Sequence, residues 1–67
     1  MTEDDKALLA DFLLEAREIM DKLDHDFVQL EMSPDDDKLL GNIFRGMHTL
    51  KGSSGLFAFT RLERLSK

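Results

Sequence analysis

The chain has 67 residues, no cysteine and a formal net charge of -5. A chain of this length builds at most one small core, so we expect a single domain over residues 1–67. The lack of cysteine excludes disulfides and thiolate metal sites and favours a cytoplasmic protein. No apolar run is long enough for a signal peptide or a membrane span, which argues against membrane insertion.

The charge is divided unevenly along the chain. Residues 1–37 hold 13 acidic and three basic side chains, a net charge of -10, whereas residues 38–67 hold one acidic and six basic side chains, a net charge of +5. The acidic first part argues against nucleic acid as a partner. The basic second part favours a small anion such as a phosphoryl group, although two packed helices of opposite charge would explain the pattern equally well.

Apolar residues recur at spacings of three and four from about residue 5 to residue 31, which predicts a helix over 5–31. Thr2 or Asp4 is suited to cap its start. The stripe consists of Leu8, Leu9, Phe12, Leu13, Ala16, Ile19, Met20, Leu23, Phe27 and Leu30.

A second helix is predicted over 34–54, with Ser33 as its N-cap and Pro34 at its first position. The connection is short, so the two helices should run antiparallel. The expected buried face of the second helix consists of Leu40, Ile43, Phe44, Met47, Leu50 and Ser54.

Residues 60–67 should begin a third helix, because Thr60 and Glu63 have the spacing of a capping box. The expected fold class is therefore all-α: an antiparallel helical hairpin plus the start of a third helix. Each helix carries a broad apolar face that one partner helix cannot cover. We therefore expect two copies to associate as a homodimer and complete a four-helix bundle.

His48 is the candidate functional residue of the second helix. It lies about a quarter turn from the expected buried face, and Gly41, Gly52 and Gly55 fall on the same flank. Because each glycine costs a helix up to about 1 kcal/mol, their placement suggests that they clear access to the imidazole. Lys51, one turn later, is placed to approach a phosphate held there. Taken alone the signal is weak, since most surface histidines do no chemistry and late glycines often end helices.

His25 lies between Asp24 and Asp26 with no such clearing, and we interpret it as a solvated surface residue. A metal site formed by the two histidines is improbable, because they lie on different helices without further ligands. We therefore predict no metal site.

The segment His48-Thr49-Leu50-Lys51-Gly52-Ser53-Ser54-Gly55 resembles the signature of histidine-phosphotransfer (HPt) domains, a histidine followed by x-x-K-G-S/A/G-x-G. The run from Phe12 to Glu18 looks like the first helix of this domain in the chemotaxis kinase family CheA. Phe57-Ala58-Phe59 is similar to the family's turn into its third helix. The resemblance covers essentially the whole chain.

The resemblance implies that His48 accepts the γ-phosphoryl group of ATP and passes it to an aspartate of a CheY-like response regulator. Lys51 would stabilise charge on the phosphoryl group, and Gly52 would give access to the imidazole. Docking of partners would involve Gly41, Phe44, Arg45 and Gly55. ATP and magnesium would be bound by a separate kinase catalytic domain of the parent protein, so this segment alone is not a complete enzyme and needs no cofactor of its own.

One departure from the family concerns the third helix. Its members often carry an acid there that orients the histidine, and by spacing this acid would follow Lys67, where the family frequently has histidine. The chain would then be a truncated HPt domain whose own phosphoacceptor activity is low or absent, even if its parent is active. Two alternatives stay open: a helical dimerisation module without phosphotransfer, and an HPt domain of a hybrid sensor kinase or a free-standing carrier.

Overall fold

The computed structural model describes residues 2–66 as two antiparallel helices, α1 (Glu3–Met32) and α2 (Asp37–Leu65), about 50 Å long in all. The all-α class and the packing of two helices against each other are confirmed. Strands are absent from the described residues. Neither described helix combines the length and the apolar character that crossing a membrane requires.

The start of α1 is fixed by a reciprocal cap. The Thr2 hydroxyl accepts a hydrogen bond from the Asp5 backbone N–H at 3.1 Å, and the Asp5 carboxylate accepts one from the Thr2 N–H. Of the two predicted caps, Thr2 is therefore the N-cap of α1, and Asp4 lies in the first turn. Three acids in the first turn face the positive end of the helix dipole.

The connection between the helices corrects the predicted start of α2. Ser33 ends α1, and its carbonyl accepts a hydrogen bond from the Asp36 N–H at 3.1 Å, so that Pro34 lies within a turn. Asp36 is the N-cap, and its carboxylate accepts a hydrogen bond from the Leu39 N–H at 3.0 Å. Serine and proline are as well suited to a turn as to a helix start, and aspartate is as good an N-cap as serine.

The prediction of a separate helix over 60–67 is wrong for the described residues, because α2 continues through Gly52 and Gly55 to Leu65. The Thr60 hydroxyl donates to the carbonyl of Leu56 at 2.9 Å, inside the helix, and forms no cap. Lys67 lies outside the described residues.

Contacts with α1 explain why the second half of α2 stays helical. The Ser53 hydroxyl donates to the Glu15 carboxylate at 2.8 Å, and the rings of Phe12 and Phe57 stack with centroids 4.6 Å apart. Packing of this kind outweighs the intrinsic cost of the glycines, since propensity is a weak determinant beside tertiary contact.

The core lies at the turn end of the hairpin and consists of Leu23, Leu39 and Ile43, with Ile19 and Leu30 packed against it. The face of α2 that contacts α1 is rotated from the prediction. Ile43 is only 2% exposed, but Phe44 is 61% exposed and Met47 is 49% exposed. A helical apolar stripe shows which residues avoid water without showing which of them a single partner helix covers.

Gly46 allows the helices to approach closely. A Cβ atom built on it would lie 2.9 Å from Cδ2 and 3.3 Å from Cγ of Leu23, a buried residue of the core. Real Cβ atoms almost never come so near another carbon, so a side chain at this position would push Leu23 out of place.

At the open end of the hairpin, Asp5 links the first turn of α1 to the last turns of α2. Its carboxylate accepts from Arg64 Nη1 at 2.9 Å and pairs with Arg61 Nη1 at 3.0 Å. The hydrogen bond from Arg64 is the main reason that the pKa of Asp5 lies well below its usual range; bonds from Thr2 and Arg61 lower it further, while desolvation opposes them.

Replacement of Gly46 by alanine should lower the free energy of unfolding relative to the matched replacement Gly52→Ala. Both changes gain up to about 1 kcal/mol of helix propensity, but only the first forces Leu23 to move, since nothing described lies within 4 Å of a Cβ at Gly52. Urea unfolding followed by circular dichroism measures both. Equal gains from the two variants would contradict the close approach.

The Asp5 contacts should make the hairpin sensitive to acid. A carboxylate whose pKa is lowered on folding stabilises the fold above its unfolded pKa of about 4, and this contribution disappears as the pH falls from there towards the folded value. Asp5→Asn should therefore remove part of the stability difference between pH 7 and pH 3. Glu18→Gln is the control and should leave that difference unchanged, because Glu18 is exposed in the middle of α1 and forms no ion pair among the described residues.

Candidate functional site

His48 lies in the middle of α2 with an exposed imidazole. At 100° per residue it points roughly half a turn away from the residues that contact α1, such as Ile43 and Gly46. The predicted angle of a quarter turn was measured from the expected buried face of the second helix, and the observed buried face of α2 is rotated from the expected one. The ring therefore stands on the outer side of the hairpin, where a second protein can approach it.

The three glycines predicted to clear this flank are in open surroundings. Nothing described lies within 4 Å of a Cβ built on Gly41, Gly52 or Gly55, and all three have ordinary helical φ values. Contacts within the hairpin therefore do not require glycine at these positions. The unpredicted Gly46, by contrast, is the glycine that serves the packing of the hairpin.

Two cations and an aromatic ring surround His48 on the helix surface. Arg45 precedes it by three residues, Lys51 follows it by three, and Phe44 precedes it by four, so all are its neighbours in a helix. All three side chains are exposed. Between Asp37 and Glu63 the sequence of α2 contains no acid. The side of α2 around the imidazole is therefore positively charged and suits a phosphoryl group or an acidic partner surface.

His25 has different surroundings. Its Nε2 lies 3.2 Å from the amide nitrogen of Gln29, which can donate to it. No group of three or more potential metal ligands occurs within residues 2–66. The described residues thus place no cluster of metal-binding side chains around either histidine.

A groove between the helices, on the side where Lys22 and Arg45 lie, was not predicted from the sequence. It has a volume of about 210 Å³. Asp26 is 7% exposed in this groove, and its Oδ2 has no hydrogen-bond partner among the described residues. The spacing of Ile19, Leu23, Asp26 and Leu30 is the signal that could have revealed it, because an acid there occupies a core position of the stripe. The groove is lined by Ile19, Lys22, Leu23, Asp26, Asn42, Arg45, Gly46 and Thr49.

Comparison with known proteins agrees with this arrangement. The model of the Hpt domain family matches residues 7–67. The chain belongs to the Hpt domain family. Together with the relatives described next, the match supports a phosphotransfer module of chemotaxis-type two-component signalling. The expected resemblance to CheA-type HPt domains is thereby confirmed.

Three similar proteins are named as a sensor histidine kinase or as chemotaxis proteins. The chain is 44% identical over 64 residues to the sensor histidine kinase CheAY of Helicobacter pylori. The matched residues make up 96% of this chain and 8% of that protein. It is 36% identical over 55 residues to the chemotaxis protein CheA of Listeria monocytogenes, covering 82% of this chain and 9% of the relative. For CheA of Borreliella burgdorferi the identity is 39% over 51 residues, 76% of this chain and 6% of the relative.

The Hpt chain therefore spans less than a tenth of the length of these curated relatives. No solved structure matches it.

Proposed function

We propose that His48 is the phosphoacceptor of this Hpt domain. The observation that carries the proposal is an exposed imidazole on the outer side of α2, beside glycines with open surroundings and between the cations Arg45 and Lys51. The sequence around it has the family's histidine, lysine and glycine spacing.

Phosphoryl transfer requires few chemical groups from the domain itself. The neutral imidazole of His48 attacks the γ-phosphorus of ATP in line. The N–P bond forms as the bond from phosphorus to the bridging oxygen breaks, and ADP leaves with the electron pair. The other ring nitrogen keeps its proton. Lys51 then lies one turn from the phosphoryl oxygens and offsets their charge.

In the second step an aspartate carboxylate of a CheY-like response regulator attacks the same phosphorus. The N–P bond breaks, its electron pair returns to the ring nitrogen, and His48 is again neutral. Both partners must reach the ring closely, since effective transfer needs reacting atoms about 3–3.5 Å apart. Gly41, Gly52 and Gly55 leave the room for this approach.

Phe44 and Arg45 supply the docking contacts in this proposal. Phe44 is 61% exposed and Arg45 is exposed beside it, so the patch offers a large apolar ring next to a cation. Aromatic and arginine side chains are the residues that most often dominate protein interfaces. ATP and magnesium would belong to the kinase catalytic domain of a parent chemotaxis kinase, and this domain would serve as its substrate.

The decisive test is phosphorylation of the domain within its parent kinase by labelled ATP. Label should appear on the wild-type domain, be released by acid and withstand alkali, as expected for phosphohistidine. The variant His48→Gln should carry no label, whereas His25→Gln should be labelled as the wild type is. Label that persists in His48→Gln would remove the assignment. Residues 1–67 alone should be labelled more slowly, if a third-helix acid beyond Lys67 orients the ring.

We further propose that an exposed apolar face pairs two copies of the hairpin. Leu13, Met20 and Phe27 repeat every seven residues on α1, and Leu40 and Met47 do so on α2. On each helix the set lies about a quarter turn from the residues that contact the other helix. Because the helices are antiparallel, both sets lie on the same side of the hairpin. All five side chains are at least 37% exposed.

A contiguous apolar face of this kind is typical of a protein interface, and a second hairpin would complete a four-helix bundle. Because this face lies to one side of His48, pairing and phosphotransfer are compatible. A dimerisation module without phosphotransfer would use the same face, and the labelling experiment separates the two functions.

Light scattering coupled to size exclusion should give twice the mass of the 7.7 kDa chain. Met47→Lys should shift the protein to a monomer, because it buries a charge in the proposed interface. Leu14→Lys is the matched control: Leu14 is 62% exposed but points away from both α2 and the apolar face, so this variant should remain dimeric. A compact wild-type monomer would contradict the pairing.

A further inference from the structure

Asp26 is a buried carboxylate whose charge is incompletely compensated. Its Oδ2 is shielded from solvent and accepts no hydrogen bond from the described residues. The nearest cation, Lys22 Nζ, lies 4.0 Å away, beyond hydrogen-bond distance, on a side chain that is 69% exposed. Burial of a carboxylate oxygen without a donor is unfavourable, so a second donor within reach would be drawn to it.

Arg45 is the cation on α2 that lines the same groove. Its side chain is exposed and forms no ion pair within residues 2–66. A guanidinium presents several N–H donors in a planar fork that matches a carboxylate, and its long stem allows it to turn between neighbouring acceptors. Because Arg45 and Asp26 line the same groove, Arg45 is the cation of α2 placed to supply the missing donor.

The same side chain also serves the helix neighbour of Arg45. His48 follows it by three residues on α2, the spacing at which helical side chains meet. A phosphoryl group on His48 would bring two or three anionic oxygens next to the guanidinium. Arg45 thus has two candidate acceptors. The Asp26 carboxylate lies on α1, whereas the phosphoryl oxygens lie on its own helix and exist only while His48 is phosphorylated.

We infer that Arg45 is a positioning residue shared between Asp26 and the phosphoryl group. While His48 is free, the guanidinium exchanges between the unpaired position seen in the structure and a rotamer that donates to Asp26 across the groove. Once His48 is phosphorylated, it turns to the phosphoryl oxygens. Asp26 therefore competes against the phosphorylated state, and phosphorylation leaves a buried carboxylate with Lys22 as its remaining cation. This inference rests on the proposed function of His48.

The equilibrium between His48 with ATP and phosphohistidine with ADP tests the competition. In this exchange an N–P bond forms as a P–O bond of ATP breaks, and no other reactant is needed. In the parent kinase, at a fixed ratio of ATP to ADP, the same equilibrium can be approached from free His48 or from phosphohistidine. Arg45→Gln should lower the phosphorylated fraction relative to free His48 by about two- to fivefold, the effect of an exposed ionic contact. Asp26→Asn should raise it by a similar factor.

The double variant separates competition for Arg45 from a general charge effect. If Asp26 acts through Arg45, then Asp26→Asn should change nothing in the Arg45→Gln background, whereas a long-range effect of the Asp26 charge would persist there. Asp24→Asn and Lys38→Gln are matched controls on the same two helices and should leave the equilibrium unchanged. Equal effects of Asp26→Asn in both backgrounds would overturn the inference.

A second measurement does not depend on phosphorylation. In the unmodified protein the side-chain Nε–Hε resonance of Arg45 should shift in Asp26→Asn but stay in place in Asp24→Asn. The two proposals fail in different ways. Absence of acid-labile label in the wild type removes the role of His48, whereas normal labelling with an unchanged equilibrium in Arg45→Gln removes only the role of Arg45.

Discussion

The close packing of two long helices at Gly46 and Leu23 is the contact on which the rest of the hairpin depends. Because Gly46 carries no side chain, Leu23 reaches the backbone of α2, and Leu39 and Ile43 are buried beside it. This contact sets the rotation of α2 about its own axis. The rotation in turn decides which residues of α2 face α1 and which face outwards.

His48 faces outwards as a consequence of that rotation. A helix packed along its length against a partner holds its outward residues on a rigid support. Such a support is favourable for the proposed phosphoacceptor, which two proteins would approach in line. The domain contributes position, access and positive charge. In the proposed function the chemistry itself would come from the imidazole, from ATP and from the partners.

Charge is arranged to match the two helices and their surfaces. The acid-rich α1 and the base-rich α2 meet at Asp5, where Arg61 and Arg64 close the open end of the hairpin. The cations nearer the middle of α2, Arg45 and Lys51, take no part in this closure. They remain on the surface that surrounds His48, so one charge asymmetry serves both folding and the proposed site.

The sequence by itself determined the helical class, the hairpin, the family and His48 as the candidate residue. These follow from local information: the period of apolar residues, a short connection, and a motif whose spacing is fixed within one helix. Tertiary structure alone decided three further points: the continuity of α2 beyond Gly55, the packing role of Gly46, and the burial of Asp26. Each depends on which residue of one helix meets which residue of the other, and the apolar pattern of a single helix does not specify that register or rotation.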